Sequence, residues 1–229
     1  NLMMGTHLIE EAKNANIEKI ILVGTVCSYP KFANIPFNEE QIWEGYPEET
    51  NASYGLAKKM QLVQSEAYRK QYKFNSISVI PTNMYGPTDN FSEESSHVIP
   101  GIIKKVFEAK RLQNEKIVLW GDGSPTRDFL YVKDTAKGII LAAEKYNESD
   151  PINLGSELEI SIKELAKMIG DLMDYSGEIE WDNSKPNGQP RRCVSNVRAR
   201  ELLGFKPETE IREGLKETIT WFTKQQKDS

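Results

Sequence analysis

KIILVGTVC, residues 19–27, decides how the rest of this 229-residue chain is read. The run is apolar at consecutive positions rather than alternate ones, as in a strand buried on both faces of a parallel sheet, and it runs into Thr25 and Cys27. The carboxyl end of such a strand is where α/β sheets bind ligands. Residues 53–59, SYGLAKK, then open a helix-like stretch. Tyr54 and Lys58 are four positions apart and therefore lie one turn apart on one helix face. An ammonium held there stabilises a phenolate, which suits a general acid that protonates a carbonyl oxygen as hydride arrives. Thr25 is placed to hydrogen-bond the same oxygen. Thr25, Cys27, Tyr54 and Lys58 thus read as a carbonyl-reducing site, with Cys27 as its unusual member.

Upstream, Leu2, Leu8, Ile9 and Ala12 form one helical stripe over residues 2–15. Residues 30–51 are polar and rich in Pro, Gly and Glu, as expected of a long loop reaching over a site. A helix is expected at 53–71, a second buried strand at NSISVIP (75–81), and a turn-rich segment, PTNMYGPTDNF (81–91), at its carboxyl end. Next come a helix at 98–109, a strand at IVLW (117–120), a GDGSPTRD turn (121–128) and a strand at FLYV (129–132). A helix at 134–146 and a short strand, INLG (152–155), follow. Ser161 and Glu164 make a capping-box signature that opens a helix to residue 173. The tail holds a strand, EIEW (178–181), a basic loop, KPNGQPRR (185–192), and a last helix at 211–225.

Strands alternating with helices predict an α/β fold with a doubly wound, Rossmann-like parallel sheet. Residues 1–96 are expected to belong to a dinucleotide-binding domain. Residues 97–229 are expected to form a smaller mixed α/β substrate lobe, interleaved with the last strands and helices of the first domain.

A net charge of −5 and a pI near 5.3 argue against a general nucleic-acid binder. The longest apolar stretch, residues 20–27, is too short to span a bilayer, and no basic segment followed by an apolar one opens the chain. A cytoplasmic protein without membrane or metal partners is expected. Cys27 and Cys193 allow at most one bridge and are expected to be free thiols.

The segments VGTVCSYPK (23–31), SYGLAKK, VIPTNMYGPTDNF (79–91), SHVIPGIIKK (96–105), VLWGDGSPTRDFLYVKD (118–134), ISIKELA (160–166) and SKPNGQPRR (184–192) together resemble the extended short-chain dehydrogenase/reductases. Within them the likeness is greatest to the GDP-L-fucose synthases, and PTNMYGPTDNF with SHVIP is its most specific part. The resemblance implies NADP(H)-dependent 3,5-epimerisation and 4-keto reduction of GDP-4-keto-6-deoxy-D-mannose to GDP-L-fucose, in a homodimer. A C4 ketone acidifies C3–H and C5–H, so one group must remove a proton and another return one on the opposite face. Cys27 and His97 are implied as that pair, since a thiol and an imidazole both exchange protons near neutral pH. Tyr54 is implied to protonate the C4 oxygen, with Lys58 tuning it and holding the nicotinamide ribose.

Cofactor contacts carry over onto Val23, Gly24, Thr25, Val26, Lys58, Pro81, Thr82, Asn83, Met84 and His97. Substrate contacts carry over onto Lys105, Trp120, Arg127, Asn187 and Arg192. Three positions depart from the family pattern: Thr25 stands where Ser is usual, Lys105 where Arg is common, and Asn187 where Asp is common. Lys keeps the charge but loses the bidentate fork, and Asn offers a donor as well as an acceptor. The family's opening G-x-x-G-x-x-G, which lets the backbone approach the cofactor pyrophosphate, is not found here. An N-terminally incomplete copy is therefore expected, with the 19–25 strand as a sheet edge. Two other readings stay open: a nucleotide-sugar 4-epimerase or 4,6-dehydratase of the same fold, and a non-catalytic binding module.

Overall fold

The structure, a computed structural model, describes residues 1–227. Its first elements are α1 (Leu2–Asn14), β1 (Ile20–Val23), α2 (Ala52–Tyr72), β2 (Ser76–Pro81) and β3 (Asn83–Tyr85). Then come α3 (Val98–Leu112), β4 (Lys116–Trp120), β5 (Thr126–Tyr131), α4 (Val132–Lys145), β6 (Ile152–Leu154) and β7 (Glu159–Ser161). The chain continues through α5 (Ile162–Leu172), β8 (Glu178–Asp182), β9 (Arg191–Arg192), α6 (Val197–Leu203) and α7 (Ile211–Lys227). Two 3-10 turns, Val26–Ser28 and Glu39–Trp43, lie between β1 and α2.

β1, β2 and β6 form a parallel sheet in that order, with Ile20 opposite Ser76 and Val79 opposite Ile152. Successive side chains of β1 take opposite faces: Ile20 and Leu22 pack with Ile9 and Ala12 of α1. Ile21 instead joins Ile77, Val79, Ala142 and Leu203, where α4 and α6 cover the other face. Burial on both sides accounts for the apolar run of β1, while β2 and β6 also bury Ser76, Ser78 and Asn153; the sheet is the expected parallel one. Among the described residues β1 has one strand neighbour, β2.

A second group of strands holds the other core. β3 runs parallel to β5, β7 antiparallel to it, β9 pairs alongside, and β4 pairs with β8. Helices α3, α5 and α7 enclose Ile103, Leu165, Ile169, Leu215 and Phe222 against them. The Ser161–Glu164 capping box forms as expected, Ser161 Oγ accepting from Glu164 N at 3.1 Å. The structure adds β3, β7, β9 and α6, which are too short for periodicity to mark. β5 begins at Thr126, inside the segment expected to be a turn, because Thr126, Arg127 and Asp128 find antiparallel partners in β7.

Residues 30–51 contain their own 3-10 turn, capped reciprocally by Asn38 and Gln41. A buried polar cluster pins this segment to β6. Tyr29 Oη donates to Asn153 Oδ1 at 2.7 Å, Asn153 Nδ2 donates to the Phe37 carbonyl at 3.0 Å, and Glu39 Oε1 accepts from Asn153 N at 2.9 Å. Burial pushes the Glu39 carboxyl above its ordinary value.

Candidate active site

β1 hands the chain to the Val26–Ser28 turn, where Thr25 Oγ1 accepts from Cys27 N at 3.2 Å. The threonine hydroxyl is used there as an acceptor, so its proton is left for another oxygen. Ser28 Oγ donates to the Gly55 carbonyl at 3.0 Å, tying this turn to the first turn of α2. The approach is close enough that a Cβ on Gly55 would lie 2.2 Å from the Cys27 carbonyl oxygen. That contact seats Tyr54 beside Cys27. One turn along α2, Lys58 Nζ donates to the Val23 carbonyl at 2.8 Å, and burial lowers its ammonium below the usual lysine value.

A cavity of about 720 Å³ opens at this point. Gly24, Thr25, Val26, Cys27 and Tyr54 line one side. Pro81, Thr82, Asn83 and Met84, with His97 at the head of α3, line the next. Trp120, Arg127, Asn187 and Arg192 complete the lining, and Arg192 reaches the Cys27 sulfur. Val23, Lys58 and Lys105 lie off this wall: Val23 and Lys58 stand behind Thr25, and Lys105 Nζ donates to the Val118 carbonyl at 2.7 Å. Trp120 is 67% exposed, and Lys185 Nζ sits 5.8 Å from its ring centroid. Asn187 Oδ1 accepts from Asp122 N at 2.9 Å, which orients its amide.

Two arginines that are adjacent in sequence separate in space. Arg191 turns outward onto Glu159, with Nε at 2.9 Å and Nη2 at 2.6 Å from the two carboxylate oxygens. Arg192, next along β9, turns inward and is buried, as strand alternation requires. There it joins Arg127, whose guanidinium is pushed down to about 10 by burial, with the like charge of Arg192 adding to the effect. Arg127 Nη1 donates to the Thr126 carbonyl at 2.7 Å. Two guanidiniums on one cavity wall form a site for an anion such as a pyrophosphate.

Behind Arg127, Asp128 is fully buried and accepts from Ser156 N at 2.9 Å and Ser156 Oγ at 2.6 Å. Burial pushes its carboxyl up to about 6, and the same environment, with Asp128 nearby, pushes the Cys193 thiol up to about 12. A carboxyl whose folded-state value lies above its unfolded one binds more protons in the native state across that interval. Stability from this group is therefore fullest below about pH 4 and falls by roughly 3 kcal/mol as pH rises through 6. Asp128→Asn, which cannot ionise, is expected to be less stable in absolute terms but to lose less between pH 4 and 6. Urea denaturation of both forms at pH 4, 5 and 6 checks this, and equal slopes would reject it.

Gly24 to Val26 and Pro81 to Met84 border the same space as Tyr54, so the residues present fit the nicotinamide end of a dinucleotide. Among the described residues no cluster of three or more His, Cys, Asp or Glu is placed to hold a metal, and no helix is long and apolar enough to cross a membrane. Sequence reading overlooked Gly55, Asp128 and Gln189. Gly55 lies inside SYGLAKK, but its importance arises from contact with Cys27, distant in sequence, while Gln189 lies inside the basic loop and matters through Arg192, three positions on, which reaches Cys27.

A fold of this kind with a Tyr and Lys on one helix beside a strand-end Thr defines a nucleotide-dependent reductase or epimerase. The chain belongs to the NAD dependent epimerase/dehydratase family, whose model matches residues 1–155. It is 40% identical to the probable GDP-L-fucose synthase 1 of Oryza sativa subsp. japonica over 223 residues, covering 97% of this chain and 68% of that protein. It is 41% identical to the GDP-L-fucose synthase of Sinorhizobium fredii, covering 97% of this chain and 70% of the relative. Among solved structures, a GDP-L-fucose synthetase from Naegleria fowleri bound to NADP superposes with a TM-score of 0.92 at 30% identity, over 99% of this chain and 72% of that one.

Proposed function

We propose that the protein carrying this chain converts GDP-4-keto-6-deoxy-D-mannose to GDP-L-fucose by 3,5-epimerisation and 4-keto reduction with NADPH. The observation that carries this reading is one cavity lined by Thr25, Cys27, Tyr54 and His97 together with Arg127, Arg192 and Trp120. The cofactor, when bound, supplies the hydride for C4. Arg127 meets the pyrophosphate of the substrate, with Arg192 beside it on the same wall, and Trp120 and Asn187 take the nucleoside. Cys27 and His97 exchange protons at C3 and C5. Thr25, whose hydroxyl proton is free, donates to the C4 oxygen, and Tyr54 transfers its proton there. Lys58 supports the Tyr54 phenolate, and Lys105 supplies a cation at the rim. Residues 1–96 then form the dinucleotide side and 97–229 the substrate lobe, exchanging β3 and β6 across the boundary.

The Sinorhizobium and rice relatives carry the synthase name, which supports this substrate over others of the same fold. Incubation with GDP-4-keto-6-deoxymannose and NADPH in deuterium oxide tests it. GDP-L-fucose labelled at C3 and C5 is expected, and absence of product rejects the assignment. Cys27→Ser is expected to slow deuterium entry by about 10²-fold, the usual loss for a removed proton-transfer group. Undiminished entry would take the proton transfer away from Cys27, whereas no entry at C3 in the unaltered protein would favour a 4-epimerase or dehydratase.

The two free cysteines accord with a cytoplasmic setting. Met3, Met4 and Leu8 on α1 and Leu56, Met60 and Val63 on α2 are exposed, and these two helices pack together. We infer that this apolar surface joins two copies in a homodimer, which sedimentation equilibrium reads directly; a monomer at micromolar concentration rejects it.

A further inference from the structure

Arg127 and Arg192 share a wall of the cavity but are held differently. Arg192 is 9% exposed, with Nε at 3.2 Å and Nη2 at 2.9 Å from one acceptor, Gln189 Oε1. A guanidinium is planar with its donors in a rigid fork, so fixing two of its nitrogens on one oxygen fixes the direction of the third. That third nitrogen, Nη1, lies 3.6 Å from Cys27 Sγ. Arg127, by contrast, uses Nη1 on its neighbour's carbonyl, with no carboxylate among the described residues in hydrogen-bond contact.

We propose that Gln189 is a positioning residue that aims Arg192 at the Cys27 sulfur and so leaves Arg127 to meet the anionic part of the ligand. The role rests on the proton-transfer function assigned to Cys27 above. When Cys27 protonates an enolate carbon, its S–H bond breaks, a C–H bond forms, and the electron pair stays on sulfur. A guanidinium directed at that sulfur offsets the new charge. The neutral amide matters: a carboxylate in its place would orient Arg192 equally well but cancel its field, whereas Gln supplies an acceptor without charge. The other charged or titratable groups facing Cys27 are Arg127 on β5, whose charge interacts with it, Tyr54 on α2 and His97 at α3, while Glu159 is engaged by Arg191 and Thr126. None of these is altered by a substitution at 189.

Iodoacetamide is the probe, with the alkylated peptide identified by mass spectrometry so that Cys27 is read apart from buried Cys193. At pH 7, Gln189→Ala and Gln189→Met are each expected to slow Cys27 alkylation about tenfold, because the thiolate is the reacting form and loses the guanidinium directed at it. Methionine keeps the bulk of the side chain and removes only the acceptor. Arg192→Met is expected to slow it at least as much, and the Gln189→Ala/Arg192→Met double variant no further than Arg192→Met alone, since Gln189 acts through Arg192. Alkylation within twofold of the unaltered protein in both Gln189 variants, or a double variant slowed by the product of the single effects, would overturn the proposal. Deuterium entry at C3 and C5 is measured in parallel. A thiol effect with no deuterium entry in any form would reject the epimerase assignment and leave the positioning role standing; normal entry with unchanged alkylation would do the reverse.

Discussion

Tyr54→Phe is expected to lower the rate of GDP-L-fucose formation by 10² to 10⁴-fold, roughly the contribution of a positioned general acid, while leaving deuterium entry at C3 and C5 within a few-fold of normal. The substitution removes one oxygen from a side chain that is 39% exposed on the cavity wall, so the fold has little reason to respond. Hydride reaching C4 leaves charge on the carbonyl oxygen, and Phe has no proton to place there. Thr25 keeps its hydrogen bond to that oxygen and accounts for residual turnover. In the proposed mechanism Cys27 and His97 act at carbons on either side of the ketone and do not need the phenol. The epimerised 4-keto sugar should therefore accumulate, labelled at both positions. Stopped-flow absorbance of NADPH gives the reduction rate and proton NMR the exchange. If both fall together, Tyr54 serves the structure of the site rather than the reduction alone.

Gly55→Ala sets two effects against each other. Helix propensity favours alanine by about 1 kcal/mol, so a glycine within α2 looks like a site for stabilisation. Packing opposes it. The new methyl would lie 2.2 Å from the Cys27 carbonyl oxygen and 2.9 Å from its carbon, both backbone atoms that cannot rotate away. Overpacking of that kind costs about 1–3 kcal/mol, which outweighs the propensity gain. Relief requires α2 to move from the Val26–Ser28 turn, stretching the Ser28 bond to the Gly55 carbonyl and carrying Tyr54 with it. A displacement near 1 Å in a catalytic constellation costs about 10²-fold in rate. Gly55→Ala is therefore expected to be slightly less stable and about 10²-fold less active. Gly170→Ala is the matched control: its methyl would meet only Ile179 Cδ1 at 4.0 Å, so helix propensity should prevail and stability rise. Thermal denaturation with steady-state kinetics distinguishes the outcomes; a Gly55→Ala protein that is both more stable and fully active refutes the argument.

Much of the fold could be read from local pattern. The apolar 20–23 run and the largely apolar 77–80 run become adjacent parallel strands because both faces of that sheet are covered, and the capping box at Ser161 and Glu164 starts α5 where expected. Asn83 to Tyr85 did not announce itself as a strand, since three residues carry no periodicity and only β5 alongside gives them partners. The basic segment at 185–192 illustrates the same limit at the site. Sequence marks two adjacent arginines, while the alternation of a two-residue strand gives Arg191 to Glu159 and Arg192 to the cavity.

The sequence by itself determined the class of chemistry: Tyr54 and Lys58 are set one turn apart by helix geometry, and Thr25 and Cys27 are placed by the end of an apolar strand. Those relations are local, and local spacing is what a sequence encodes directly. Tertiary structure alone decided how closely the groups approach. Gly55 meets the Cys27 carbonyl across a break between elements, Ser156 and Cys193 close over Asp128, and Gln189 turns Arg192 onto a sulfur 165 positions away in the chain. Such contacts depend on how strands and helices pack, and no spacing along the chain prescribes them.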